Sequence, residues 1–246
     1  MAAALLSGGA AAAQTAPPQR TQDHNRNAWL AYFSDARLSR RWGLHTEFQY
    51  RRTNGLRDPQ QYFYRTGLNY HATDKLMLTA GYVYLLSLPY GDFPDPGRSH
   101  ERRLYLKAEL DNAIGRLTLT HRYIQDLRWL RGPEEVVYSF QNRSRYRLQL
   151  KFPLTKPTIE AGTLYALASD EIFISYGPNV AANVFNQNRL YGGLGYQITE
   201  ALGLETSYLQ QLVQHDDGVV FENNHTLQVS LNFNPDFRPA AQRPAE

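Results

Sequence analysis

The chain has 246 residues, no Cys and a formal net charge of +3 at pH 7. Without Cys it can form no disulfide, thiolate metal site or Cys nucleophile, and its basic residues lack the long runs typical of nucleic-acid binders. No stretch beyond the N-terminus approaches the ~18 apolar residues of a membrane-spanning helix, which excludes a helical membrane protein but not a β-barrel, whose strands are only half apolar.

The N-terminal segment is rich in small and apolar residues. Residues 1–13 are almost entirely Ala, Leu, Gly and Ser, which predicts the apolar part of a secretory signal peptide with a cleavage site near Ala11–Ala13. The usual preceding basic residues are missing, which indicates a truncated signal; a disordered Ala-rich tail is the alternative. Residues 14–27 lack apolar periodicity and are predicted to form a flexible leader.

From residue 28 onward, apolar and polar residues alternate with a period of two, which places successive side chains on opposite faces of a β-strand. In one such segment Trp42, Leu44 and Phe48 share a face, and Glu47 and Arg51 share the other. The pattern recurs in residues 62–70, 103–110, 140–150, 189–198 and 226–233. It predicts a single all-β domain over residues 28–233 and a disordered C-terminal tail over residues 234–246.

The connections between these segments are of two lengths. Short turns are predicted near residues 71–75, 111–115, 153–157 and 199–201, and longer loops near residues 53–60, 87–100, 131–136, 177–186 and 214–223. A rim of short periplasmic turns and a rim of longer extracellular loops is typical of an outer-membrane barrel. The predicted fold is therefore an antiparallel transmembrane β-barrel of about 10–12 strands, in the range of such proteins.

A soluble barrel or sandwich is the rival interpretation, because alternation alone does not say which face is inward. Segments of ten or more residues, Tyr and Trp near segment ends, and a last apolar strand up to Phe233 favour the membrane. This predicts the outer membrane of a Gram-negative bacterium as the location. Outer-membrane lipid, lipopolysaccharide and the barrel-assembly machinery are the expected partners, and nucleic acid is not.

The number of strands is not fixed by the alternation. The alternation gives about ten strands from Trp42 to Phe233, and residues 29–36 add another. Eleven strands would force a parallel closure, whereas single-chain bacterial barrels normally have an even number. Either the first segment is not a complete wall strand, or a long loop contains a twelfth strand.

If the apolar face meets lipid, the polar face lines the lumen. The predicted luminal residues are Glu47, Arg51, Arg65, Arg103, Glu109, Arg122, Arg143, Arg145, Arg147 and Glu160, with Lys107, Arg189 and Glu205 on the same face. Charges in so narrow a barrel must be paired or hydrated, so one interpretation is a network that stiffens the wall. The other is an anion-favouring path or binding site, to which Arg143, Arg145 and Arg147 would contribute guanidinium donors.

A second candidate site lies where one strand is expected to enter a long loop. Glu171 lies near the end of that strand, and Asn188 and Arg189 begin the next strand. A hydrogen bond between Glu171 and Arg189 would either order the loop or form part of a ligand site at the outer mouth.

Several short runs together resemble the bacterial DUF2490 family. They are residues 42–51, 101–103, 121–123, 143–147, 170–173, 186–189 and 193–196. The resemblance extends from about Trp29 to Phe233, and no single run is diagnostic. It implies an outer-membrane barrel and, because the family is named for its unknown function, no mechanism.

Catalysis has little support in the sequence. An outer-membrane lipid hydrolase, the alternative function, would use His121 or His225 as a base, but neither has a Ser in a phospholipase-like motif. The run His215-Asp216-Asp217 precedes Gly218 and is typical of a turn, or of weak divalent-cation binding. No catalytic residue, metal site or cofactor is predicted. The expected role is structural, or the binding or passage of small anions.

Overall fold

The computed structural model describes residues 20–94 and 96–239, and these form eleven β-strands closed into one barrel. The strands are β1 (Thr21–Arg37), β2 (Trp42–Thr53), β3 (Asp58–His71), β4 (Leu76–Ser87), β5 (Ser99–Ile114), β6 (Leu117–Arg131), β7 (Ser139–Pro153), β8 (Thr163–Tyr176), β9 (Phe185–Gln197), β10 (Leu202–Gln214) and β11 (Val220–Phe233). In the described part of the chain, no helix has the length and apolar character needed to cross a membrane.

The barrel closes through a parallel pair. Consecutive strands are antiparallel neighbours, whereas β1 runs parallel to β11, with Leu30 opposite Val229. The eleven strands lie within the predicted 10–12, but both predicted routes to an even number are wrong, since the first segment is a complete wall strand and no twelfth strand is formed by the described residues. Closure gives both β1 and β11 a hydrogen-bonded partner, so the sheet has no open edge.

The ends of the barrel differ from the predicted boundaries. β1 starts at Thr21, so residues 21–27, predicted as leader, belong to the wall. After β11 the chain still pairs, because Arg37 donates its backbone N–H to Pro235 and accepts that of Phe237 at 2.9 Å each. The predicted signal peptide over residues 1–13, and residues 14–19 and 240–246, lie outside the described residues.

The two faces of the wall are opposite in character to those of a soluble protein. Neighbouring residues on β3 illustrate this: Leu68 points outward and is 49% exposed, while Asn69 points inward and is fully buried. The outer face carries exposed Leu, Ile, Tyr and Phe side chains, and the inner face carries most of the buried charged and amide side chains. The all-β barrel prediction is confirmed.

The rims are less regular than predicted. The turn rim comprises residues 38–41, 72–75, 115–116, 154–162 and 198–201, and the loop rim comprises residues 54–57, 88–98, 132–138, 177–184 and 215–219. Residues 154–162 are therefore longer than the short turn predicted there, and residues 54–57 are shorter than the predicted loop. Loop 88–98 folds inward, and its residues Leu88, Tyr90 and Phe93 line the lumen.

Candidate functional site in the lumen

The lumen is a polar cavity of about 660 Å³ to which every strand contributes side chains. Its lining extends from Asp35 and Asn232 near the turn rim to Asp216 and Asp217 at the loop rim. Because inward residues recur at every second position, the period-two pattern of the sequence determines which side chains reach this cavity.

Nine of the ten predicted luminal residues line this cavity. They are Glu47, Arg51, Arg65, Arg103, Glu109, Arg122, Arg143, Arg145 and Arg147. The placement of Glu160 is wrong, because it lies in the turn of residues 154–162 rather than on a strand. It is exposed there, and its carboxylate pairs with Lys156 at 3.1 Å.

Most luminal arginines are matched by a carboxylate. Glu101 accepts hydrogen bonds from the Nε and Nη2 of Arg103, at 2.6 and 2.8 Å, and from the Nε of Arg128. All three side chains are buried. A buried charge pair is tolerated only when the partners satisfy each other, so this triad fixes β5 against β6.

Two further carboxylates continue the network on β6, β7 and β8. Asp126 accepts from the Nη2 of Arg143 at 2.9 Å, and lies 3.8 Å from the Nη1 of Arg145. Glu171 accepts from Arg145 at 2.8 Å and from Arg122 at 3.0 Å. Arg145 therefore links both carboxylates. This part of the lumen fits the cross-linking interpretation.

Three luminal guanidiniums are not matched in this way. Among the described residues, no carboxylate lies within ion-pair distance of Arg51, Arg147 or Arg189. Arg51 donates only to the amide oxygens of Gln49 and Gln61. The Nε atoms of Arg147 and Arg189 are buried without a hydrogen-bond partner. Buried unpaired donors are costly, so the Nε–H groups of Arg147 and Arg189 are available to an anion.

Two of these guanidiniums are held by aromatic rings. The guanidinium carbon of Arg51 lies 4.0 Å from the ring centroid of Trp29, and that of Arg189 lies 5.5 Å from the same ring. Arg51 also lies 5.3 Å from Phe63, and Arg189 lies 4.9 Å from Phe173. These five side chains form a series of alternating aromatic and guanidinium groups, the arginine–aromatic ladder.

The ladder leaves its two cations without a counter-charge. Ring faces attract guanidiniums, but they supply no negative charge and accept no strong N–H hydrogen bond. The Nε1–H of Trp29 is itself used, since it donates to Gln60 at 2.9 Å. Each Nη of Arg51 carries a second N–H besides the one that bonds to Gln49 or Gln61, and the Nε–H of Arg189 has no partner among the described residues, so both side chains can donate to a carboxylate or phosphate.

The three residues predicted to form a ligand site at the outer mouth do not come together there. Glu171 lies mid-strand in β8 and is the cross-strand partner of Arg189 in β9. Its hydrogen bonds nevertheless go to Arg122 and Arg145. The amide of Asn188 donates to the Asp170 carboxylate at 2.7 Å and to the backbone carbonyl of Glu171 at 3.3 Å, and it makes no hydrogen bond to the Glu171 carboxylate or to the Arg189 side chain among the described residues. Glu171 and Arg189 thus belong to the middle of the lumen, and Asn188 to the outer face.

The actual mouth is spanned by loop 88–98. Tyr90 donates its hydroxyl to Glu222 of β11 at 2.7 Å, and His215 lies 2.7 Å from the other oxygen of this carboxylate. The adjacent Gly91 has a φ of 78°, which favours glycine. Burial, and then the negative charge of Glu222, raise the pKa of Tyr90 well above its ordinary value. Tyr90 therefore remains a neutral donor that fastens the loop across the mouth.

The histidines considered for lipid hydrolysis have other contacts. The Nδ1 of His121 lies 2.9 Å from the hydroxyl of Tyr146, and that of His225 lies 2.5 Å from the hydroxyl of Tyr208. Among the described residues, no Ser hydroxyl forms a hydrogen bond with either ring. Asp217 accepts the backbone N–H groups of Val220 and Val219, which lower its pKa. No group of potential metal ligands was found in the described part of the chain.

The model of the DUF2490 family, described as a protein of unknown function, matches residues 26–222. The chain belongs to this family. No curated protein and no solved structure matches it. The matched region of this DUF2490 protein begins within β1 and ends within β11, so it includes the arginine–aromatic ladder and the carboxylate-matched arginines.

Some luminal residues were not predicted from the sequence. Glu101, Asp126 and Arg128 carry much of the network and share the strand parity of Arg103 and Arg122. Extending the period-two pattern to the ends of β5 and β6 would have found them. The role of Trp29 had no such signal, because it depends on which strand closes the barrel.

Proposed function

We propose that this DUF2490 protein is an outer-membrane β-barrel that binds a small anionic solute in its lumen. The exposed apolar outer face and the polar inner face support the membrane part of the proposal. Each strand has at least the 12 residues of β2 and β4, and about 9–11 residues suffice to span a bilayer when tilted. A continuous apolar surface of this extent in water would favour aggregation.

The anion part rests on one observation: Arg51 and Arg189 stack on the same indole, and neither has a carboxylate at ion-pair distance within residues 20–94 and 96–239. The wall near Arg189 is also locally basic. Arg122, Arg147, Glu171 and Arg189 occupy successive cross-strand positions on β6 to β9, so three guanidiniums surround one carboxylate. Like charges are tolerated at such distances only with a counter-charge, which a bound anion would supply.

The remaining arginines have a different role in this proposal. Those held by Glu101, Asp126 and Glu171 stiffen the wall and keep the cavity open. Loop 88–98 narrows access from one side. A cavity of about 660 Å³ accommodates a small solute with its hydration water, but no polymer.

The membrane part is tested first, by gel mobility of membrane-extracted protein before and after boiling. A folded barrel migrates faster before boiling. Recovery in the soluble fraction without a mobility shift would refute the membrane location.

The binding part is tested with Trp29 as the reporter, in a Trp42→Phe/Trp129→Phe background. Inorganic phosphate is titrated at constant ionic strength. We expect a saturable fluorescence change that is lost in Arg51→Gln/Arg189→Gln and kept in Arg40→Gln, which removes one cation from an exposed turn. The same change in all three proteins would refute a site at the arginine–aromatic ladder.

A further inference from the structure

A second basic group lies on the outer face of the barrel, at the loop rim. The guanidinium carbons of Arg102 and Arg131 lie 4.9 and 5.0 Å from the ring centroid of Tyr138. Arg102 belongs to β5, Arg131 is the last residue of β6, and Tyr138 immediately precedes β7. These three residues are called the outer basic cluster. Arg102 has the parity opposite to that of Glu101 and Arg103 on β5, and Arg131 has the parity opposite to that of Arg128 on β6, so both arginines point away from the lumen.

The outer basic cluster has no counter-charge of its own. Within the described residues, neither arginine has a carboxylate at ion-pair distance. Glu135 in the following loop accepts the backbone N–H of Gly132 at 2.9 Å. Two guanidiniums that share one tyrosine ring repel each other, and an anion between them would remove that repulsion.

The surroundings of the cluster are those of a membrane interface. Trp129 is the cross-strand partner of Arg102, and its ring packs on that of Phe140 with centroids 5.2 Å apart. Val136 and Val137, just before Tyr138, are 89% and 77% exposed. Aromatic girdles mark the depth at which the bilayer meets water. A cation pair at that depth, beside exposed apolar side chains, lies at the level of lipid head groups.

We propose that the outer basic cluster binds the phosphate group of an outer-leaflet lipid. Arg102 and Arg131 would donate N–H groups to the phosphate oxygens, and Val136 and Val137 would contact the apolar part of the same lipid. The planar guanidinium group can donate two parallel N–H groups to a phosphate. A general attraction between cations and an anionic membrane surface would need no such geometry. This inference rests on the proposed membrane location and is independent of the luminal site.

The test is native mass spectrometry of the full chain in neutral detergent, with bisphosphorylated lipid A and with the same lipid after removal of its phosphates. We expect retention of the phosphorylated lipid alone. Arg102→Gln/Arg131→Gln should lower that retention at least tenfold. The matching Lys variant should recover part of it, because charge is restored without the guanidinium fork. Arg40→Gln, at the opposite rim, should behave as the parent.

The outcomes separate this inference from the proposed function. Equal retention of both lipids, or unchanged retention in the double variant, overturns it. Displacement of the lipid by submillimolar inorganic phosphate overturns the lipid assignment, because the site would then take the free ion. Fractionation and gel mobility of the same preparation are the reference. Protein that behaves as a membrane barrel but retains no phosphorylated lipid overturns this inference alone, whereas soluble protein overturns the membrane location as well.

Discussion

Glu101→Gln is the substitution for which the structure gives the clearest estimate of lost unfolding free energy. The substitution keeps the size of the side chain and one acceptor oxygen, but it leaves Arg103 and Arg128 without their shared negative charge. Breaking a buried ion pair by removing one partner costs about 3–5 kcal/mol. Because the lumen is polar and the amide still accepts one hydrogen bond, we expect the low end, about 3 kcal/mol.

The assay is urea-induced unfolding of the barrel in phospholipid vesicles, followed by tryptophan fluorescence and by gel mobility. Glu160→Gln is the matched control, since its carboxylate pairs with Lys156 at 3.1 Å in a turn and the two side chains are 50% and 38% exposed. It should cost less than about 1 kcal/mol. Phosphate binding at the arginine–aromatic ladder should persist in Glu101→Gln. If the two variants are equally stable, the view that Glu101 stiffens the wall is refuted.

Two other substitutions test the packing and the mouth. A Cβ on Gly195 would lie against the ring of Tyr165, which donates to Glu205 at 2.9 Å, so Gly195→Ala should cost about 1–3 kcal/mol of unfolding free energy. Gly192→Ala, whose Cβ would meet only the carbonyl of Leu167 at 4.0 Å, should be nearly neutral, and equal losses would contradict this account. Tyr90→Phe should release loop 88–98 and speed tryptic cleavage after the exposed Arg98; unchanged cleavage would show that the hydrogen bond to Glu222 does not hold the loop.

Much of the barrel could be predicted from the sequence because a single geometric rule governs it. Inward and outward side chains alternate along every strand, so the parity of Glu47 also places Arg51, and that of Arg143 also places Arg145 and Arg147. The rule fails where the chain leaves the wall. Glu160 was placed in the lumen because the predicted turn ended at residue 157, so residue 160 was assigned to the next strand; in the structure residues 154–162 form the connection and β8 begins only at Thr163.

The pairing of luminal charges could not be predicted in the same way. Parity places a side chain on a face, but long arginine side chains reach residues several positions away on neighbouring strands. Glu171 and Arg189 are cross-strand partners, as the sequence suggested, yet Glu171 bonds to Arg122 and Arg145. Which guanidiniums remain without a carboxylate is therefore a property of the closed barrel.

The candidate site depends on whether β1 is a strand of the barrel wall. Trp29 lies on β1, the strand whose place in the wall the sequence left open. Only when β1 pairs with both β2 and β11 does Trp29 lie between Arg51 of β2 and Arg189 of β9. In a ten-stranded barrel without β1, the two cations would lose the indole that holds both of them. The parallel closure thus removes the open edges of the sheet, and it also brings together the two luminal cations that an anion could bridge.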